Sequence, residues 1–473
     1  MKSSIITRKE FVVFFIITDE VFNSFLTIFR LKQVYFAKTE YIYYDTYCDE
    51  LLKNCYYIVK SKDSIELRDT NNELIAKDFT NQKLKFYWEF NNAQIKEHLE
   101  KLIEYRALIQ KSKIKFDYTE YLLQDKSDKG VLRVNLYRMP NDLVLEVEPI
   151  KGYKNEFADV KEFLVNEKQI ASLFDFVKKE IIKRNKPKLN TSMSALEAVN
   201  LLLKSSFEAM REQEYGMMSN IDSEFLHDYR VDLRKARALL SQFKTIFEPK
   251  TLVELKSGLT KIGRNTNQAR DLDVYWLKVR EHQEVYPNRD LSVFLNYLKI
   301  SSDKEYKKLA KFFKSHEYTN ICNVFTNFIE LNSAHGKHAN DNIAQLVAKK
   351  IKKLHKKLLA DGSSLSIESE DTLFHELRID CKKLRYLLEF FESVLDSTKA
   401  QLAIKLIKNL QTILGNFQDL SIQRLKIIEL ADDMTKHLQA IDSKTLITIG
   451  MLVGNLEDEQ KVYKGLFFQS FNE

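Results

Sequence analysis

The sequence predicts an α+β domain followed by an all-α one, and three observations carry that expectation. Glycine (11) and proline (5) are scarce among 473 residues, which disfavours collagen, flexible linkers and an all-β fold built on Gly-rich hairpins. Residues 35–150 break into short stretches rich in Tyr, Phe, Val and Ile, separated by charged and Asn/Asp-containing turns, as a mainly antiparallel sheet requires. Beyond residue 190, aliphatic residues recur at helical spacing almost to the C-terminus, which predicts long helices packed as bundles.

In chain order, Tyr41–Tyr44, Cys55–Val59, Leu84–Phe90, Val131–Tyr137 and Leu143–Val147 read as strands, and Ala93–Tyr105 and Val160–Lys183 as helices. The polar segment Lys186–Ser192 contains Pro187 and interrupts helical periodicity on both sides, so it marks a domain boundary. After it come the helical sets Leu196/Leu203/Phe207, Leu226/Leu233/Leu240, Leu373/Leu377/Leu384/Leu388 and Leu402/Leu406/Leu410/Leu414, with Pro249 and Pro287 the only prolines past residue 190. The expected division is an α+β domain at 1–188, a helical domain at 192–440 with halves of about 192–335 and 340–440, and a helical extension at 441–473.

Several chemistries are excluded early. The only close glycine pairs, Gly258/Gly263 and Gly450/Gly454, form no phosphate-cradling loop and no dinucleotide fingerprint. Cys48, Cys55, Cys322 and Cys381 form no CxxC and no cluster with histidine, so neither a zinc site nor a disulfide framework is signalled, and four free thiols suit a reducing cytoplasm. The apolar run Phe11–Ile17 stops at Thr18 and Asp19, too short to cross a bilayer. A soluble cytoplasmic protein without a membrane partner is expected. The net charge of +7, from 74 basic and 67 acidic residues, is small for this length, so any affinity for polyanions must come from local placement of charge.

That placement is a repeat. The segment His227-Asp-Tyr-Arg230-Val-Asp-Leu-Arg234-Lys235-Ala-Arg237 returns 148 residues later as His375-Glu-Leu-Arg378-Ile-Asp-Cys-Lys382-Lys383-Leu-Arg385. Downstream, Gln268-Ala-Arg270-Asp271-Leu272 matches Asn416-Phe-Gln418-Asp419-Leu420 at the same offset, so each half keeps 44 residues from its histidine to its aspartate. At about 100° per residue, His227, Arg230, Arg234 and Arg237 share one helix stripe, as do His375, Arg378, Lys382 and Arg385. Leu226, Tyr229, Leu233, Ala236 and Leu240 fall beside and behind the first stripe as its packing face. Stacked cations repel by a few tenths of a kcal/mol per pair, so such a stripe is stable chiefly with an anion against it. The repeat implies two bundles related by approximate two-fold symmetry, able to place both stripes around a shared groove.

These paired motifs, HxxRVxLRKAR…ARDLDV and HxLRIxxKKLRY…FQDLSI, resemble the two signatures of the CHAD domain, a histidine-containing α-helical domain that often follows a CYTH domain. The resemblance covers roughly residues 195–440. It implies two helical bundles enclosing a basic surface that binds inorganic polyphosphate. Carried over by motif, the ligand-facing positions are His227, Arg230, Arg234, Lys235, Arg237 and Arg270 in the first copy, and His375, Arg378, Lys382, Lys383 and Arg385 in the second. The second copy has Gln418 in place of Arg270 and Ser421 in place of Asp273, so its lower end is expected to grip less strongly.

Chemistry supports the same ligand. Polyphosphate offers only phosphate oxygens, so its recognition needs many charge-assisted hydrogen bonds and no stacking groups. Two roles stay open for His227 and His375, protonation that strengthens binding below pH about 6.5 and a neutral imidazole hydrogen-bonded at a helix start. Asp271 and Asp419 are expected to orient arginines, with metal ligation as the alternative. The run Lys349, Lys350, Lys352, Lys353, His355, Lys356, Lys357 could extend the track, and Lys352, in register with Lys204, is its best candidate.

In the N-terminal half, Tyr43-Tyr44-Asp45-Thr46…Tyr56-Tyr57-Ile58-Val59-Lys60-Ser61-Lys62 resembles the stretch of CYTH domains from a YYDT segment to a basic strand, and Leu143-Val-Leu-Glu146-Val-Glu148 resembles their late acidic strand. Members form a β-tunnel that binds triphosphate with a divalent metal, through an opening ExExK strand and inward Arg/Lys. Here Ile5–Phe11 has Ile and Thr where the paired acids would stand, and Asp19-Glu20 lacks the alternation. Glu146 and Glu148 alone would hold a metal poorly.

The expected protein is therefore a polyphosphate binder at polyphosphate granules, with a degenerate tunnel domain in which Lys60 and Lys62 could touch phosphate. No catalytic residue, metal or cofactor is assigned, and Mg²⁺ enters only if the first domain is active. The alternatives are a metal-dependent triphosphatase or polyphosphatase in that domain, and nucleic-acid binding, which the lack of interleaved aromatics disfavours. Nothing in the sequence indicates an oligomeric state.

Overall fold

The computed structural model describes residues 12–150, 153–178, 187–331, 336–395, 397–437 and 441–472. The chain divides into two compact units, Met1–Arg184 and Asn185–Glu473. The segment Ile5–Phe11 lies outside the described residues.

The first unit is a curled antiparallel sheet with helices on one side. Its elements are β1 (Val13–Ile17), α1 (Asp19–Ile28), β2 (Leu31–Asp45), α2 (Glu50–Lys53), β3 (Tyr56–Lys60), β4 (Ile65–Asp69), β5 (Leu74–Asp78), α3 (Ala93–Ile103), β6 (Ile109–Gln124), β7 (Gly130–Arg138), β8 (Leu143–Pro149), α4 (Lys154–Phe163) and β9 (Lys168–Ile170), with strand order β5-β4-β3-β2-β6-β7-β8-β1-β9. Alternation along β1 shows why two cores form: Val13, Phe15 and Ile17 pack with Phe22, Phe25, Phe157 and Val160 of α1 and α4, while Phe14 joins Tyr43, Tyr57, Tyr137 and Phe174 on the opposite face. Tyr57 of β3 stacks on Phe174, just past β9, with centroids 4.1 Å apart. Contact between distant positions in the strand order requires the sheet to curl into a half-barrel.

Two expectations change here. Leu84–Phe90 is no strand. The Glu89 carboxylate accepts the backbone N–H groups of Lys85 (2.6 Å) and Phe86 (3.2 Å), and this local bonding takes the place of a strand partner. The helix expected from Val160 ends at Phe163, because the chain then enters β9 beside β1 and turns at Ser172, whose hydroxyl accepts from Phe174 N–H. Asp19-Glu20 opens α1, capped by Thr18.

The second unit is all-helical and repeats. Its helices are α5 (Ala195–Met218), α6 (Ser223–Gln242), α7 (Pro249–Val285), α8 (Ser292–Phe313), α9 (His316–Leu331), α10 (Ile343–Ser363), α11 (Asp371–Phe390), α12 (Ser397–His437) and α13 (Ser443–Asn472). The 148-residue offset separates both ends of α6 from both ends of α11, the start of α5 from that of α10, and the start of α7 from that of α12. N-caps support the boundaries: Ser194 forms a capping box with Glu197, Asp222 accepts from two N–H groups of α6, Pro249 opens α7, and Asn342 caps α10.

Repeat partners also meet. Ser194 and Asn342, 148 apart, form an antiparallel bridge, and so do the rings of Phe243 and Phe391 touch, with centroids 5.3 Å apart. Leu272 with Leu420, and Val279 with Ile427, share one core with α8 and α13. The C-terminal segment is thus built into the bundle: Leu452 and Leu456 are buried beside Leu298, and Phe467 beside Phe374.

Candidate anion-binding groove

The motif helices α6 and α11 each bury one side. On α6, Leu226, Tyr229, Leu233, Ala236 and Leu240 face the core; on α11, Phe374, Leu377, Cys381, Leu384 and Leu388 do so. The cationic positions are left on the other side, and the two helices cross there. Together with α10 they form an open groove of about 630 Å³, lined by Arg234, Arg237, Lys350, Lys353, Lys382 and Lys383 with Ala238, Ser241, Gln242, Leu354, Ile379 and Tyr386. Six cations line it and no carboxylate does. Gln242 ties the walls together: its side-chain amide donates to the carbonyl of Lys383 (3.2 Å), and its own carbonyl accepts from Lys350 Nζ (2.6 Å).

Residues 201–427 match the family model of the CHAD domain. The chain carries a CHAD domain. Among solved structures, it is similar to the CHAD domain from the plant Ricinus communis, at 20% identity and TM-score 0.49, covering 62% of this chain and 96% of that one. It is also similar to PptA from Streptomyces chartreusis, at 11% identity and TM-score 0.46, covering 59% of this chain and 100% of that one. No curated protein matches.

Within the CHAD domain the motif residues divide by what they touch. Arg234, Arg237, Lys382 and Lys383 reach the groove. Arg230 lies against α7, donating to Thr266 Oγ1 (2.8 Å), Asn267 Oδ1 (2.7 Å) and the Gly263 carbonyl (3.3 Å), all neutral acceptors. Its repeat partner Arg378 is instead paired with Asp419 at 2.9 Å. Arg385 lies over the Tyr386 ring and 3.6 Å from Glu389. Lys235 pairs with Asp232 at 2.7 Å, and Lys383 with Asp380 at 2.6 Å, the same contact in both copies. The stripe is therefore less bare than its cations suggest, because each copy carries a carboxylate, Asp232 or Asp380, three residues before Lys235 or Lys383.

His227 takes the neutral role. Arg270 Nη2 lies 2.6 Å from His227 Nδ1, and since a guanidinium only donates, Nδ1 accepts and the ring proton sits on Nε2. Arg270 itself is held near Ser223 O and Glu224, at the start of α6 and away from the groove lining. His375 is exposed.

Lys204 and Lys352 are exposed and do not line the groove, whereas Lys350 and Lys353 do. Repeat register favoured Lys352. Helix geometry selects its neighbours, since positions 350 and 353 are one turn apart on the face toward α6 and α11.

Crowding shows in the protonation equilibria. Burial, followed by Arg378, Arg234 and Arg385, pulls Lys382 down to about 8, against the pull of Asp419. Burial and Arg234 likewise lower Arg230, and burial and Lys353 lower Lys350. The groove's cations are held in proximity at a cost that an anion would relieve.

The sheet unit has its own cavity, of about 230 Å³, lined by residues of β1 to β5, β7 and β8, among them Tyr41, Tyr43, Tyr57, Tyr137, Glu66, Arg68, Lys77 and Glu146. Lys60 and Lys62 are not in it. Strand parity places Tyr57, Val59 and Ser61 inward, so Lys60 points to the opposite face, where Nζ donates to the Gln82 carbonyl at 2.5 Å. The inward cations are Arg68 and Lys77, and Glu66 binds both, at 2.6 and 2.8 Å. Burial raises the Glu146 carboxyl, which accepts from Tyr137 OH (2.5 Å) and Asn135 Nδ2 (3.0 Å). Glu148 does not line the cavity and lies 3.8 Å from Arg133. This donor set does not fit a divalent cation: one carboxylate is taken by two cations and the other is hydrogen-bonded in a tyrosine wall. Among the described residues, no group of three His, Cys, Asp or Glu is placed to hold a metal, and no helix is long and apolar enough to cross a membrane.

Proposed function

We propose that this protein binds inorganic polyphosphate in the groove between α6, α10 and α11, as a binding module and not as a hydrolase. The observation that carries the reading is the groove's lining, six cations and no carboxylate, supplied by helices of both halves. A linear polyanion gains little from each exposed contact, under about 1 kcal/mol, but many act together once one is made. Tyr386 is the only aromatic in the lining, which supports phosphate contacts over base stacking. All four cysteines are free thiols, as a reducing compartment would keep them. In the sheet unit, the two inward cations already share Glu66, which leaves little charge for a triphosphate.

Filter retention of long-chain polyphosphate at rising salt tests the site. Reversing Arg234, Arg237, Lys382 and Lys383 to glutamate together is expected to abolish retention, while Lys204→Glu with Lys352→Glu leaves it nearly unchanged. Retention by the fourfold variant equal to wild type would sink the proposal.

A further inference from the structure

The seam between α6 and α7 leads from the groove to a second basic surface. Two contacts fix the register of these antiparallel helices, His227 with Arg270 (2.6 Å) and Arg230 with Asn267 (2.7 Å), three residues on along α6 and three back along α7. Equal rise per residue extends that register, setting Arg237 level with Thr260 and Ser241 level with Lys256. Arg237 and Ser241 line the groove, and Thr260 and Lys256 line an open depression of about 630 Å³ on α7. Gly263 gives Arg237 room to lie across the seam, since a Cβ there would stand 3.4 Å from its Nη1.

This depression has the chemistry of the groove. Lys256, Lys261 and Arg264 line it, Ser257 adds a hydroxyl, and no carboxylate or aromatic takes part. Lys261 is held by Glu317 of α9, whereas among the described residues Lys256 and Arg264 pair with no carboxylate. Neither belongs to the repeated motif, and the positions 148 residues on are Ile404 and Thr412, so the repeat did not point to them. The two cations stand about 12 Å apart along the helix. A single phosphate satisfies one of them; a chain of linked phosphates already held in the groove meets both as intramolecular contacts, which cost it little further freedom.

Resting on the polyphosphate reading above, we propose that polyphosphate continues from the groove across the α6–α7 seam onto α7, where Lys256 and Arg264 bind a flanking stretch of the chain. Salt series of binding constants for the full-length protein, with long-chain polyphosphate and with tripolyphosphate, test this on wild type and on Lys256→Gln with Arg264→Gln. The double substitution is expected to lower the slope of log affinity against log salt by about one to two for the long chain, and to change the affinity for tripolyphosphate by less than about twofold. An unchanged long-chain slope, or an equal change of slope for both ligands, overturns the inference and leaves binding in the groove standing. Failure of the wild-type protein to bind the long chain overturns both.

Discussion

Lys382 is the residue on which the groove's electrostatics turn. It is flanked by Arg378 and Arg385 on its own helix, and Arg234 of α6 and Asp419 of α12 act on it, while Lys350 and Lys353 of α10 share its groove. With its ammonium pulled down to about 8, the free protein loses this charge as pH rises through that value, and a bound polyanion restores it. Binding near pH 8 should therefore take up as much as about half a proton, and affinity should decline above that pH. Titration in buffers of different ionisation enthalpy reads the uptake directly. Lys382→Arg should remove it; equal uptake in that variant would assign the proton elsewhere. Asp273 provides a second pH handle, this time on stability. Burial raises its carboxyl from 3.8 to about 6 despite hydrogen bonds from Tyr306 (2.6 Å) and Ser302 (3.2 Å). The folded state holds the proton longer than the unfolded chain, so this group's contribution is greatest below the unfolded value and falls as pH rises from about 4 to about 6, by roughly 3 kcal/mol. Asp273→Asn should flatten that slope in the difference between wild-type and variant unfolding curves. At this scale, the cations of the repeat were legible in sequence, but their partners were not. Asp232 and Asp380 stand openly in the motif, yet only side-chain geometry shows that they claim Lys235 and Lys383.

Helices pack closely where glycine permits it. At Gly216 of α5 a Cβ would run into the ring of Phe225, a buried residue of α6. Gly216→Ala should therefore cost about 1–3 kcal/mol through overpacking, read as a lower urea midpoint. Gly450 of α13 has nothing near the corresponding position, and Gly450→Ala should instead stabilise by roughly 0.5–1 kcal/mol through helix propensity. The same substitution thus changes sign with its surroundings, and helical periodicity alone distinguishes neither case. Element types were readable wherever one period dominated, as at β7, β8, α3 and the helices of the second unit. They were misread at Leu84–Phe90 and after Phe163, where side chains bonding to nearby backbone displaced the regular pattern. The C-terminal helix α13, expected as a helical extension, also follows the repeat. Continued past α12, the repeat offset brings α8 to residue 440, three positions before α13 begins.

At the scale of the molecule, affinity should depend on how many of the six groove cations a polyanion neutralises, because each neutralised charge releases counterions. Replacing Lys350 and Lys353 with glutamine should lower the slope of log affinity against log salt by about two, whereas the same change at Lys204 and Lys352 should leave it alone. A salt series of binding constants checks both. The amino-acid order by itself determined the class of each half, the repeat and the identity of its basic positions, because periodicity and spacing are local properties that survive without a fold. Tertiary structure decided which cations share a space. It turned Lys350 and Lys353 toward α6 and α11 and left Lys352 outside, gave Arg230 neutral partners but Arg378 a carboxylate, and put Lys60 on the outer face of its sheet. Those outcomes depend on how helices and strands pack, which brings together side chains from 22 residues apart (Lys60 and Gln82) to 108 apart (Gln242 and Lys350), and no helical or strand period encodes such separations.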